Sequence, residues 1–283
     1  MTAPARSTRH EFAREVGQAN EVMDLARAAL LVAKEEYPGL AVEPYLIRLD
    51  AIAEEVRDVL AGETAPPIVL SEVIRVLYER HGLRGNRERY HDPRNSFLND
   101  VMDRGLGIPL TLGIILLEIG WRVGLDLEGV NFPRHFLVRA PGQAKDLLVD
   151  PFHKGKIRFP DEAQDLLDQH FGGGVRVQPT HLNRASKRDM IVRLLLNLKS
   201  IYRKAGDHPR ALAAVERILV IHPTSPTEIR DRGYLLANMG RNDEAVAQLK
   251  TYLTFVPSAG DADEVEALVR EIGGTSGAHD KET

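Results

Sequence analysis

The stretch that decides the fold runs from residue 92 to residue 125, DPRNSFLNDVMDRGLGIPLTLGIILLEIGWRVGL. Within it, Pro109 to Gly124 is apolar on nearly every side, as expected of a helix enclosed at the centre of a domain. Its polar stripe is narrow. Thr111, Ile115, Glu118 and Arg122 follow i, i+4, i+7, i+11 spacing, so Glu118 can pair with Arg122 while the rest packs. The longest apolar run, Ile108 to Gly120, is interrupted by Glu118 and falls well short of the roughly 20 residues that a spanning helix needs. No membrane segment is expected.

Downstream the period changes from helical to alternating. Leu127 to Phe132, Phe136 to Arg139 and Leu147 to Val149 read as strands separated by Pro133 and by Pro141-Gly142, so a small antiparallel sheet against the buried helix is expected. Upstream, Phe12, Val16, Ala19, Met23, Ala26, Leu30 and Ala33 recur at helical steps and end before Pro38-Gly39. A second stripe, Leu46, Leu49, Ala53, Val56 and Leu60, follows Pro44, and a third, Leu70, Val73 and Leu77, follows Pro66-Pro67. Three amphipathic helices are therefore expected to open the chain. Between the third helix and the buried one lies HGLRGNRERYHDPR, residues 81–94, where Arg84, Arg87, Arg89 and Arg94, with the flanking Arg80, outnumber Glu88 and Asp92. This basic loop reads as a solvated connection, with an anion or acidic-partner site as the alternative.

Of the 283 residues 43% are apolar and 28% charged, which describes a globular chain and excludes fibrous and disordered classes. A net charge of -4 gives no reason to expect a nucleic acid partner. Cysteine is absent, which excludes disulfides, thiolate metal sites and any cysteine nucleophile and suits a cytoplasmic location. Met1 to Arg14 carries no apolar segment of the secretory type.

Beyond Phe171 to Val175, FGGGV, and Pro179, the text repeats. Tyr202, Gly206, Ala211 and Pro223 are answered 34 residues later by Leu236, Gly240, Ala245 and Pro257. That period, with Gly at a helix turn, Ala at a tight crossing and Pro at the repeat end, is the tetratricopeptide signature. Gly206 and Ala211 are both expected at close helix packing. The expected organisation is a first domain over residues 1–180, two repeats with a capping helix over 185–273, and a disordered tail over 274–283.

His135 and Asp150 fall on neighbouring expected strands, 15 residues apart. A histidine base oriented by a carboxylate is the supporting half of a nucleophilic triad, although a structural histidine beside a strand-end aspartate has the same appearance. His81, His91, His135, His153 and Asp150 form no HxH or HExxH pair, so no metal site is expected. Gly172 to Gly174 opens no phosphate loop, so no nucleotide cofactor is expected either.

The run from Asp92 to Leu125, followed by EGVNFPRHFLVRA at 128–140 and LLVDPF at 147–152, resembles the transglutaminase-like "core 2" domain of the bacterial Sir-B-type regulator family, in which it precedes tetratricopeptide repeats. The resemblance implies an α+β, papain-like domain: a helical N-terminal part and a central helix whose N-terminus faces a small antiparallel sheet. It also implies a Cys-His-Asp triad, with Gly-x-Cys at the helix start. Here that text is Gly107-Ile108-Pro109, so Pro109 stands where the thiol belongs, while His135 and Asp150 match the base and its orienter. A conceivable substitute, Thr111, lies inside the helix, two residues on and about 200° round from Pro109. The resemblance also expects a small residue before the histidine, where this chain has Arg134, which can fill or recharge the cleft. Two functions follow as expectations. One is a non-catalytic cytoplasmic regulator or scaffold that takes a protein or peptide in its repeat groove. The other is a hydrolase in which His135 and Asp150 activate water.

Overall fold

The computed structural model describes residues 3–140, 146–159 and 162–276. The chain opens on α1 (Ala3–Val16), α2 (Leu25–Glu36), α3 (Glu43–Leu60) and α4 (Pro66–Arg75). The first expected helix is therefore two. The break falls at residues 17–24, where Asp24 caps α2 by accepting the Arg27 N–H at 2.8 Å while Glu15 accepts the Asp24 N–H at 2.7 Å. An apolar stripe with the right spacing continues across the break, because both helices bury the same kind of face, so periodicity alone cannot register it.

After α4 the chain makes a π-helical turn, Val76–Arg80, then β1 (Arg84–Gly85), α5 (Leu98–Arg104), β2 (Leu106–Gly107) and α6 (Pro109–Arg122). Strands β1 and β2 pair in parallel. Helix α6 is buried from Pro109 through Gly120, as its sequence requires, and contacts α2, α3 and α4. Its one buried acid, Glu118, accepts the Ala26 N–H at 2.9 Å and pairs with Arg122, which also reaches Asp50 at 2.7 Å. Burial pushes the Glu118 carboxyl up, against the pull of Arg122.

The sheet is larger than expected. Strands β3 (Glu128–Val130), β4 (Leu137–Ala140) and β5 (Leu147–Asp150) are joined by β6 (Lys156–Arg158) and, after α7 (Ala163–Phe171), by β7 (Arg184–Ala185). All neighbours pair antiparallel in the order β6-β5-β4-β3-β7. The expected turn at Pro141-Gly142 lies outside the described residues. Helix α7 covers Val130, Leu137 and Leu148 with Leu166 and Leu167, and α6 contacts β3 and β4.

The rest is helical: α8 (Lys187–Lys204), α9 (His208–Ile221), α10 (Pro226–Asn238), α11 (Asn242–Phe255) and α12 (Ala262–Ser276). Contacts divide the chain into two units, Met1–Leu194 and Leu195–Thr283, so the division falls inside α8 and not at 180–185. Two facts move it. Arg184 and Ala185 are sheet strands paired with β3, and Met190, Ile191 and Leu194 at the start of α8 are buried, Met190 beside Gly129. At the other end, α12 continues through Ser276, so residues 274–276 are helix where tail was expected. Residues 277–283 lie outside the described residues.

In the second unit the 34-residue period is visible in the elements themselves: α9 spans 208–221 and α11 spans 242–255. Gly206 and Gly240 precede them with φ of 71° and 70°, the left-handed turn that lets one helix end and the next reverse. Neither glycine is a packing position. A Cβ on Gly206 would meet no atom within 4 Å, and the close approach in this unit is instead at Gly233, where a Cβ would sit 2.5 Å from the Leu249 side chain. Ala211 and Ala245 are fully buried.

Candidate functional site

Asp150 is the last residue of β5, and His135 stands two residues before β4. It is not on a strand as expected. It belongs to the turn of residues 131–136, where its N–H donates to the Phe132 carbonyl. Antiparallel pairing aligns Val138 with Val149, which carries His135 and Asp150 to the same end of the two strands. There the His135 Nε2 lies 2.9 Å from Asp150 Oδ1, with the two side chains 3% and 0% exposed.

Asp150 holds more than His135. Its Oδ1 accepts the N–H groups of Phe152 and His153 at 3.2 Å each, capping the short 3-10 turn of Pro151–His153. Its Oδ2 lies 2.8 Å from His153 Nδ1 and 3.4 Å from Arg158 Nε. Burial alone would push this carboxyl up, but the hydrogen bonds and charge of His135, then of His153, hold it far below the usual carboxylate range. His170, on α7, places its ring 5.8 Å from that of His135, and burial together with His135 and Arg134 depresses its pKa. Tyr78, on the π-helical turn, is buried, and its hydroxyl has no hydrogen-bond partner among the described residues. Burial and then the Asp150 charge push that phenol up.

The helix start presents one face here. Gly113 abuts the Phe136 ring and Pro151, where a Cβ would stand 2.5 Å and 3.5 Å away, so α6 meets the chain neighbours of His135 and Asp150 without room for a side chain. Pro109 lies four residues earlier, about 40° from Gly113 round the helix and one turn closer to its N-terminus. Thr111 points elsewhere. Its buried hydroxyl donates to the Asn95 carbonyl at 2.7 Å and accepts the Ile108 N–H at 3.2 Å, which satisfies it as a helix cap.

Arg134 has φ 55°, in the left-handed region that glycine adopts freely, which is the physical reason a small residue suits the position before this histidine. Its guanidinium turns onto the Phe171 ring at 4.8 Å. The other histidines weighed from sequence do not join the cluster: His81 pairs with Glu55 at 2.8 Å, and His91 stacks edge-on with Tyr90. The basic loop is organised by the fully buried Asn95, whose amide donates to the carbonyls of Arg89 and Tyr90 and whose side-chain oxygen accepts from Asn86. Arg80 pairs with Glu55 and Arg94 with Asp92, while Arg84, Arg87 and Arg89 are exposed. Sequence reading missed His170, Arg158 and Tyr78, and it weighed His153 only as one of several scattered histidines with no metal motif. Only His153 left a trace, in its three-residue spacing from a cap-forming Asp150.

Residues 43–196 match the model of the transglutaminase-like superfamily, and residues 198–270 match a tetratricopeptide repeat model. The chain belongs to the transglutaminase-like superfamily. Its relatives include a UPF0162 protein of Xylella fastidiosa, 36% identical over 256 residues that cover 89% of this chain and 91% of the relative. A UPF0162 protein of Vibrio cholerae is 28% identical over 253 residues, covering 89% and 93%. F-box only protein 21 of Homo sapiens is 32% identical over 146 residues, covering 49% of this chain and 22% of that protein. These names do not carry the Sir-B-type designation. In this transglutaminase-like chain the sequence contains no cysteine, and no described helix is long and apolar enough to cross a membrane.

Proposed function

We propose that this protein is a non-catalytic scaffold of regulatory character, acting in the cytoplasm, in which the transglutaminase-like domain is a degenerate enzyme and the repeats receive a protein or peptide. The absence of any cysteine carries the reading: acyl transfer through a thioester needs a thiolate, and Pro109 supplies none. The retained His135 and Asp150 then act as structure, a buried pair that closes the end of the sheet. Tetratricopeptide repeats commonly bind proteins, which makes the second unit the place to look for the partner.

The test is photo-crosslinking of the full chain in native lysate, with the probe placed in turn on exposed positions of both units, beside an assay of amine incorporation into glutamine peptides. The reading expects crosslinks concentrated in residues 195–276 and no incorporation. Turnover of a glutamine amide or ester that disappears in His135→Ala would favour the second reading, in which His135 and Asp150 activate water. One observation supports that alternative: the His135 side chain contacts Asp150 through Nε2, which leaves Nδ1 outside that contact.

A further inference from the structure

We propose that His135, Asp150 and His153 form a binding site for one divalent transition-metal ion of the zinc class. The argument begins with the number of imidazoles. Orienting a single base requires one carboxylate and one histidine, yet Asp150 draws two, His135 Nε2 onto Oδ1 at 2.9 Å and His153 Nδ1 onto Oδ2 at 2.8 Å. A second imidazole on the other oxygen of the same carboxylate adds nothing to the orientation of His135. It is what a metal site requires, because two histidines and an aspartate are a common zinc donor set.

Geometry and burial agree. One donor atom from each residue lies within 4.8 Å of the other two. Bonds of about 2.1 Å to a tetrahedral ion set donors about 3.4 Å apart, so the group closes on an ion with movements of roughly an ångström. His153 is the residue able to make them: its side chain is 29% exposed on a short turn, whereas His135 and Asp150 are fixed in the interior. The outer shell is in place. The backbone N–H groups of Phe152 and His153 orient the carboxylate.

Protons balance without a co-reactant. In the metal-free protein each neutral imidazole turns an N–H to Asp150; on binding, that nitrogen offers its lone pair and the proton moves through solvent to the other ring nitrogen. For His135 that nitrogen is Nδ1, which lies outside the contact with Asp150. An imidazolium instead releases one proton to solvent on binding. Arg158 is the competing cation at Oδ2, and at 3.4 Å its contact is the longest of the five on Asp150. The spacing of these residues in sequence matches no metal motif; the antiparallel pairing of β4 with β5 assembles the set.

The site is independent of the scaffold role, since either can fail alone. Its test is titration of the full, chelator-stripped chain with Zn2+ and with Co2+. The proposal expects one ion bound per chain at micromolar affinity or tighter and a visible Co2+ spectrum of low-coordinate, nitrogen- and oxygen-ligated type. In 15N-edited spectra of the unmutated protein, the side-chain resonances of His135 and His153 should shift together while those of His222 stay. His153→Ala should weaken binding by more than the roughly 10- to 100-fold that loss of an outer-shell partner costs. Arg158→Gln should tighten it. Sub-stoichiometric or millimolar binding, or binding that leaves the His135 and His153 resonances in place, would overturn the proposal without recourse to any variant.

Discussion

At the scale of single residues the structure turns on Asp150, a carboxylate with no exposure and five contacts. Asp150→Asn keeps the shape but leaves the Arg158 cation and two imidazoles without their counter-charge, and removing one partner of a buried pair costs about 3 kcal/mol or more. Urea unfolding at pH 7 should show that loss. The sign of its pH dependence follows from a carboxyl depressed in the fold: its contribution is complete above the ordinary aspartate pKa of about 3.9 and is lost only as pH falls below it. The gap between the two proteins should therefore persist down to about pH 5 and shrink below pH 4; a gap that vanished at pH 5 would remove the charge argument. Pro109 carries the second prediction at this scale. In Pro109→Cys the new thiol starts a helix on the face that meets Phe136 and Pro151, so its pKa should fall below the ordinary value of about 8.5. Alkylation rate against pH, in metal-free buffer and in a chain with no other cysteine, reads this directly. Adding His135→Ala should return the thiol toward 8.5, and a titration indifferent to His135 would separate the helix start from the histidine.

At the scale of elements, the repeats use glycine in two ways. Gly206 and Gly240 are left-handed helix ends with open space around them, so Gly206→Ala and Gly240→Ala should each cost about 1 kcal/mol through backbone strain alone, and Asn should be milder than Ala. Gly233 is different. Its φ is unexceptional, but a Cβ would stand 2.5 Å from Leu249 Cδ2, so Gly233→Ala should cost about 1–3 kcal/mol and be partly relieved by Leu249→Val. A double-mutant cycle on urea midpoints separates the two mechanisms, since Gly206→Ala should show no coupling to Leu249. The 34-residue period identified Gly206 and Gly240 because both serve the same turn. Gly233 escaped because Lys199 stands at the equivalent position one period earlier, where it pairs with Glu228 and Asp231 at 2.7 and 2.8 Å. Close packing at one repeat and a buried ion network at the other leave no shared letter to read.

At the scale of the whole molecule, the first unit carries the transglutaminase-like domain in a chain that has no cysteine, and the second carries paired helices. The purified protein should show no thiol-dependent transglutaminase or amidase activity, and prior treatment with iodoacetamide should change neither its mass by a cysteine adduct nor any activity found. Activity that an alkylating agent abolished would mean that the chemistry resides on another side chain and that the degenerate-enzyme reading is wrong.

The sequence by itself determined the buried helix, the antiparallel sheet behind it, the helical repeats and the absence of cysteine, because each is written locally: an all-round apolar run, a change of period, a 34-residue echo, a zero in the composition. It also brought His135 and Asp150 forward as a pair, through the motifs around them. What only the tertiary structure decided is everything that depends on strands meeting at one end. The break between α1 and α2 needs a cap that the apolar stripe conceals. Two-residue strands such as β7 have no period to detect, yet β7 moves the domain division into α8. His153 and Arg158 converge on Asp150 from a turn and a sheet edge, and no spacing along the chain encodes that meeting. Local patterns report which face an element buries; only the pairing of elements fixes which polar groups must share the space left between them.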